Sequence, residues 1–193
     1  MLPKPAVAMR ITKFSIALAG LLSVSLHSVS AGSLSIEAHE IGTADGTVNR
    51  WFVAWDYYSR DFTRQKKLQI TVRDFSRKIP AVTVQVYFIG HPMGNPEPLF
   101  VYGHATIPVE LGGKLEVKGA VDAPPIRARV NRIGGLEYAR GADIDGWIVI
   151  GEHEGKPFQV RASRQRLLDL AEKDRPTLDA MVAEYEETRP RRR

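Results

Sequence analysis

The sequence predicts a mostly β protein: an antiparallel β-sandwich over residues 32–163 with a short α-helical C-terminal extension over 164–188. Three observations predict it. Between Leu34 and Ala162 roughly seven to nine short runs alternate apolar and polar residues, the period of a half-buried strand. Gly, Pro, Asn and Asp separate these runs and no helical period lies between them, which argues against a parallel α/β sheet. After Ser163 the apolar residues change to helical spacing.

Residues 1–31 stand apart. Lys4, Arg10 and Lys13 give a basic start, Phe14–Leu26 is an apolar run with small residues, and small residues follow around Ala31. That order reads as a secretory signal peptide cleaved after Ala31, with Met9 as an alternative start. The run is too short and too rich in serine for a good membrane span, so no transmembrane segment is expected after cleavage. The mature protein is expected in the periplasm or outside the cell. The chain has no cysteine. Thiolate metal sites, a thiol nucleophile and lipid attachment to cysteine are excluded, and the exported domain must rest on its hydrophobic core.

The strands follow in order. Ser33–Ile41 alternates at Leu34 and Ile36, and Thr43–Asn49, with Asp45-Gly46, reads as a turn. Arg50–Tyr58 is an aromatic strand, and Lys66–Phe75 puts Leu68, Ile70 and Val72 on one face. Ala81–Gly90 is the strongest strand, with Val82, Val84, Val86 and Phe88 on one face and Thr83, Gln85 and Tyr87 on the other. In Leu99–Leu111, Gly103 suggests a bulge and Pro108 an edge or a strand end. Gly113–Val121 and Pro125–Ile133 come next. The segment 141–147 reads as a turn, and Gly146–Ser163 as a hairpin with its loop at Gly151–Gly155. Helical spacing then joins Leu167, Leu168 and Ala171, with Ser163 as N-cap. Pro176 opens a second helix with Leu178, Met181, Val182 and Tyr185 on one side.

The charge balance constrains partners. Of 27 Lys and Arg, three lie in the leader and four in the tail 189–193, so 20 remain against 22 acidic residues. The body is −2, and its totals offer no basic face for nucleic acid. The Arg-rich tail is a candidate for electrostatic contact with anionic surfaces.

Few residues suggest chemistry. Glu152, His153 and Glu154 are adjacent, but neighbours on a hairpin loop point apart, whereas metal ligands converge. His39, His91 and His104 are scattered; His91, in a Pro/Gly-rich loop, is the best placed of them for binding. Asp143 and Asp145 lack the further oxygen ligands of a calcium loop. No nucleophile elbow and no phosphate loop is present. The aromatic strand places Trp51, Trp55 and Tyr57 on one face, with Phe52, Asp56 and Tyr58 on the other. Core packing accounts for one face, and an exposed face with Tyr58 and Arg60 would suit glycan or protein.

The runs 68–75 (LQITVRDF), 82–90 (VTVQVYFIG) and 146–163 (GWIVIGEHEGKPFQVRAS), followed by 166–171 (RLLDLA), resemble in layout the small secreted immunoglobulin-like β-sandwich proteins of Gram-negative bacteria. These include the type known from the Akkermansia group and associated with pilus genes. The resemblance spans 33–171 and lacks the Cys…Trp…Cys signature of antibody-type domains. It implies an immunoglobulin-like fold and an exported, non-enzymatic adhesive or assembly role, and it carries over no catalytic or binding residue.

The expectation is therefore an exported binding or scaffolding protein of the bacterial cell envelope, linked to surface fibres or adhesion. Its partner would be an envelope or pilus protein, or a glycan, with no nucleic acid, no cofactor, no metal and no catalytic residue. Candidate binding residues are Trp51, Trp55, Tyr57, Tyr58, Arg60 and His91. Candidate edges for strand addition are the strand around Pro108 and the strand Leu34–Ile41. Two alternatives stand beside it: a periplasmic hydrolase or ligand carrier with a dispersed His/acid site, and a glycan-binding module.

Overall fold

The computed structural model describes residues 33–52 and 57–188, with the backbone alone at 51 and 52. The expected signal peptide, Trp55 and the arginine tail lie outside the described residues. The described chain is mostly β. Its strands are β1 (Leu34–Phe52), β2 (Tyr57–Asp74), β3 (Ala81–Pro92), β4 (Phe100–Glu110), β5 (Glu116–Asp122), β6 (Ile126–Ile133), β7 (Leu136–His153) and β8 (Lys156–Ala162). The helices α1 (Gln165–Lys173) and α2 (Arg175–Thr188) follow. All strand pairs are antiparallel, in the order β1-β2-β6-β7-β3-β4, with β5 on β2 and β8 on β7.

Two long strands change partner part-way. Residues 57–64 of β2 pair with β6, and 67–73 pair with β5. Residues 136–141 of β7 pair with β6, and 142–152 pair with β3. The changeover in β7 falls at Gly141, whose φ is 94°. A Cβ there would lie 2.4 Å from the Arg127 carbonyl oxygen, so glycine alone fits the close approach of the two strands.

The core lies on both faces of the β3–β7 pair. Val84, Val86 and Phe88 of β3 and Val149 of β7 share one buried cluster with Ile36, Leu68 and Ile70 from β1 and β2. Tyr87 and Ile89 of β3 and Ile148 and Ile150 of β7 share a second with Leu167, Ala171 and Leu178 of the helices. This is the pattern the alternation in Ala81–Gly90 predicts, with both rows covered. Met181, Val182 and Tyr185 pack partly buried behind Leu178, as the second helix's spacing predicts.

Four local expectations are corrected. Thr43–Asn49 is not a turn: β1 runs through it, matched residue by residue to β2 after one irregularity at Glu40/Gly42. An Asp-Gly hairpin turn needs positive φ, and Gly46 is not in that region; it pairs with Thr63 instead. Arg50–Tyr58 is not one strand, because β1 ends at Phe52 and β2 begins at Tyr57, with Phe52 opposite Tyr57 and Trp51 opposite Tyr58. Residues 141–147 are strand, because β6 and then β3 pair with β7 there, with Asp145 left without a cross-strand partner at an irregularity opposite Ile89/Gly90. Ser163 does not cap α1; Arg164 is the N-cap residue, and the Ser163 Oγ accepts the Trp147 amide at 3.0 Å. The hairpin expected at Gly151–Gly155 is present but tighter: its turn is Glu154 (φ 51°) and Gly155 (φ 74°), with Glu152 and His153 still in β7.

Candidate functional site

The predicted binding residues divide between two places. Tyr57 and Tyr58 begin β2 and face opposite sides of the sheet. The Tyr57 phenol donates to Asn131 Oδ1 of β6 at 3.0 Å. The Tyr58 phenol donates to Asn49 Oδ1 of β1 at 3.0 Å, and the same oxygen accepts from Arg60 Nε at 3.1 Å. Arg60 and Arg64 stand over the Phe62 ring at 5.4 and 5.7 Å, within cation–π range. Tyr58 and Arg60 are thus neighbours, as the sequence suggests, and Trp51 meets Tyr58 through the backbone ladder. His91 belongs elsewhere. It lies near the end of β3 opposite Asp143, and its Nδ1 is 3.0 Å from the Pro92 carbonyl and 3.1 Å from the Asn95 carbonyl. It ties down the loop that follows β3.

The other ionisable residues have separate partners. His104 lies between Gln85 Oε1 (3.0 Å from Nε2) and Glu186 Oε1 (3.2 Å from Nδ1). His153 approaches Glu154 at 4.0 Å, and His39 approaches Glu37 at 4.0 Å. Among the described residues no three His, Asp or Glu side chains are grouped to hold a metal ion. Asp143 accepts from Arg64 Nη1 at 2.5 Å. Burial raises its pKa, yet Arg64 and the Ile144 amide outweigh that and hold the carboxyl below its ordinary range. Asp145 is fully buried at its side chain and binds Arg164 and Arg166, which tie the start of α1 to β7.

The two expected edges differ. At β1 the Ile36 amide donates to Gln159 Oε1 at 2.6 Å, and its carbonyl accepts from Arg161 Nε at 3.3 Å. Side chains of β8 therefore already occupy the outer backbone groups at Ile36. Among the described residues both strands are edges as expected, β1 pairing with β2 alone and β4 with β3 alone; in β4 Pro108 lies within the strand, an irregularity next to Gly103 breaks its register, and its outer side lacks such cover.

Beside β4 lies a feature the sequence does not announce. An apolar cleft of about 220 Å³ opens between β4 and β5, floored by Ile70, Val72 and Val84. The inward row of β5 is Val117, Gly119 and Val121, opposite Val72, Ile70 and Leu68. Gly119 is the gap in that row, and a Cβ there would meet nothing within 4 Å. The signal was a glycine at an inward position of a short strand, which needs the β2–β5 register to be recognised.

Arginines form the second such feature. On one face of the β1-β2-β6-β7 region, Val48, Asp61, Arg129 and Arg140 form a single row across the four strands. Arg127 and Arg50 lie two residues to either side of that row. Arg129 Nε donates to Asp61 at 2.5 Å; that bond, against a smaller effect of burial, holds the Asp61 carboxyl below its ordinary range. A shallow hollow of about 480 Å³ lies over this face.

No protein-family model matches the chain, and no curated protein matches it. Among solved structures, one from Akkermansia muciniphila is similar at a TM-score of 0.27 and 14% identity, over 68% of this chain and 72% of that one. The X-ray structure of a Northeast Structural Genomics Consortium target is similar at a TM-score of 0.16 and 12% identity, over 59% of this chain and 85% of that one.

Proposed function

We propose that the protein is an exported, non-enzymatic binding or scaffolding protein of the bacterial cell envelope. In this reading the strands form an immunoglobulin-like sandwich, and the cleft between β4 and β5 accepts an extended segment of an envelope or pilus protein. The cleft is the observation that carries it. Two strands that each pair on one side among the described residues border an apolar floor, so an added strand gains backbone hydrogen bonds from an edge and side-chain burial from the floor. Glu110 and Lys118 stand at the lips and supply charge of both signs. The layout resemblance to secreted immunoglobulin-like proteins supports the exported role and the link to surface fibres.

Gly119→Leu provides the test, because it fills the cleft where a side chain meets open space and φ is unstrained. The wild type and this variant are used as bait on envelope extracts. A partner recovered by the wild type and lost by an equally stable Gly119→Leu protein supports strand acceptance. Equal recovery by both excludes the cleft as the binding site.

A further inference from the structure

The arginine face has a polarity its reverse lacks. Among the described residues, Arg50, Arg127, Arg129 and Arg140 share this face with one carboxylate, Asp61. The reverse carries Arg60, Arg64 and Arg132, together with Asp45 and Glu137, and Arg64 also reaches Asp143. Arg140 lies directly opposite Arg129, an arrangement that repels, and the only carboxylate in the row is on the far side of Arg129. Among the described residues Arg127 and Arg140 make no ion pair, and both are exposed.

The same face bears exposed apolar side chains. Four of the seven large apolar residues exposed among the described residues lie on it: Val48, Ile133, Leu136 and Tyr138. Leu136 is 63% exposed and Tyr138 50%. Ile133 and Leu136 flank the Gly134-Gly135 turn, so the apolar end is the tip and the arginines lie behind it. From Leu136 to Arg140 is about 13 Å along the strand. A soluble polyanion would use the guanidiniums and leave the aliphatic tip in water. An anionic bilayer uses both, because its phosphates attract the cations and its interface takes aliphatic and tyrosine side chains.

We propose that this face docks on an anionic lipid bilayer, with Ile133, Leu136 and Tyr138 entering the interface while Arg50, Arg127 and Arg140 lie among the headgroup phosphates. The site is separate from the β4–β5 cleft and stands or falls without it. It places the domain against a membrane surface without a spanning segment; among the described residues no helix is long and apolar enough to cross one.

The test is co-sedimentation of residues 32–193 with vesicles of phosphatidylcholine alone and with equal parts of phosphatidylcholine and phosphatidylglycerol. Starting at residue 32 keeps both buried clusters, whose members lie between Leu34 and Leu178, and omits the apolar leader. Binding to the anionic vesicles only is expected at low salt, with a residue that persists at high salt. The double variant Arg127→Gln, Arg140→Gln should bind on the order of 25-fold more weakly, about fivefold for each lost cation. The variant Leu136→Ser, Tyr138→Ser should bind at low salt and lose the salt-resistant part. All four side chains are exposed, so thermal unfolding should match the wild type. Absence of binding to anionic vesicles overturns the proposal. So does unchanged binding by the arginine variant, which would assign the attraction to the Arg189–Arg193 tail, or unchanged binding by the Leu136/Tyr138 variant at every salt, which would leave a soluble polyanion as the ligand.

Discussion

His104 lies flat against Tyr87, with ring centroids 4.9 Å apart and planes within 4° of parallel. The stack joins β4 to β3 and is also where α2 is held: Glu186 meets His104, and Arg175 Nη2 is 3.4 Å from the Tyr87 hydroxyl. Replacing His104 with Ala removes the stack and the Glu186 contact together. The expected cost is about 1–2 kcal/mol. Hydrogen exchange should quicken in the last two turns of α2 more than in β3.

Asp74 is fully buried and accepts hydrogen bonds from the Ser76 hydroxyl (2.6 Å) and the Ile79 amide (2.9 Å). Burial raises its pKa, but these bonds and the Ser76 and Arg77 amides outweigh it, so the folded value lies below the ordinary 3.8. The unfolded chain therefore binds this proton more readily than the folded one. The stabilisation is present above the unfolded value and is lost as pH falls through the lower folded value. Asp74→Asn should cost about 2 kcal/mol at neutral pH and lose less than the wild type on acidification. Urea unfolding at neutral pH and at about pH 3 measures both; parallel losses in the two proteins would contradict this account.

The Asp145 pairings make an asymmetric prediction. Its side chain is 0% exposed, whereas those of Arg164 and Arg166 are 56% and 40% exposed. Removing the carboxylate with Asp145→Ala lets both guanidiniums return to water, at a cost of about 2 kcal/mol. Removing both arginines leaves a buried carboxylate without its cations and should cost about 3–5 kcal/mol. Chemical denaturation of the two variants gives the order, and the reverse order would refute the explanation.

Glu154 holds φ 51° in the two-residue turn between β7 and β8, ahead of Gly155. Asn tolerates that conformation better than Glu, and Asn-Gly is the preferred pair for such a turn. Glu154→Asn should therefore raise stability by about 0.5–1 kcal/mol, read as a higher melting temperature.

Among the described residues the Tyr102 hydroxyl is buried without a hydrogen-bond partner, and its ring packs on the first core cluster. Tyr102→Phe keeps the ring and removes the unsatisfied group. The variant should be as stable as the wild type or about 1 kcal/mol more stable, in contrast to most core substitutions.

The β3 strand was legible because Val82 to Phe88 alternate and the two core clusters bury residues on both its faces. The hairpin at Glu154-Gly155 was legible for the same reason, with apolar rows on each side. Residues 42–52 were not. They carry no apolar alternation and a strong turn dipeptide, and only the β2 partner 57–67 makes them strand. The cleft depends on Gly119 facing Ile70, a register that no local pattern reveals. Net charge concealed the arginine face. The segments 42–52, 57–65 and 126–141 hold seven Arg against three acidic residues, within a body whose total is −2. Arg50, Arg127, Arg129 and Arg140 come from three strands, and pairing alone collects them on one side.

The shared strand β7 also has a mechanical meaning. Its first part belongs to the arginine region and its last part is bonded to β3 and β8 in the core. A pull on the Gly134-Gly135 tip travels along one covalent strand into the centre of the molecule. The hydrogen bonds between β7 and β3 lie across the line of that force, so they are loaded in shear and must yield together rather than peel one after another. Whatever holds the tip is thereby tethered to the most deeply buried pair of strands.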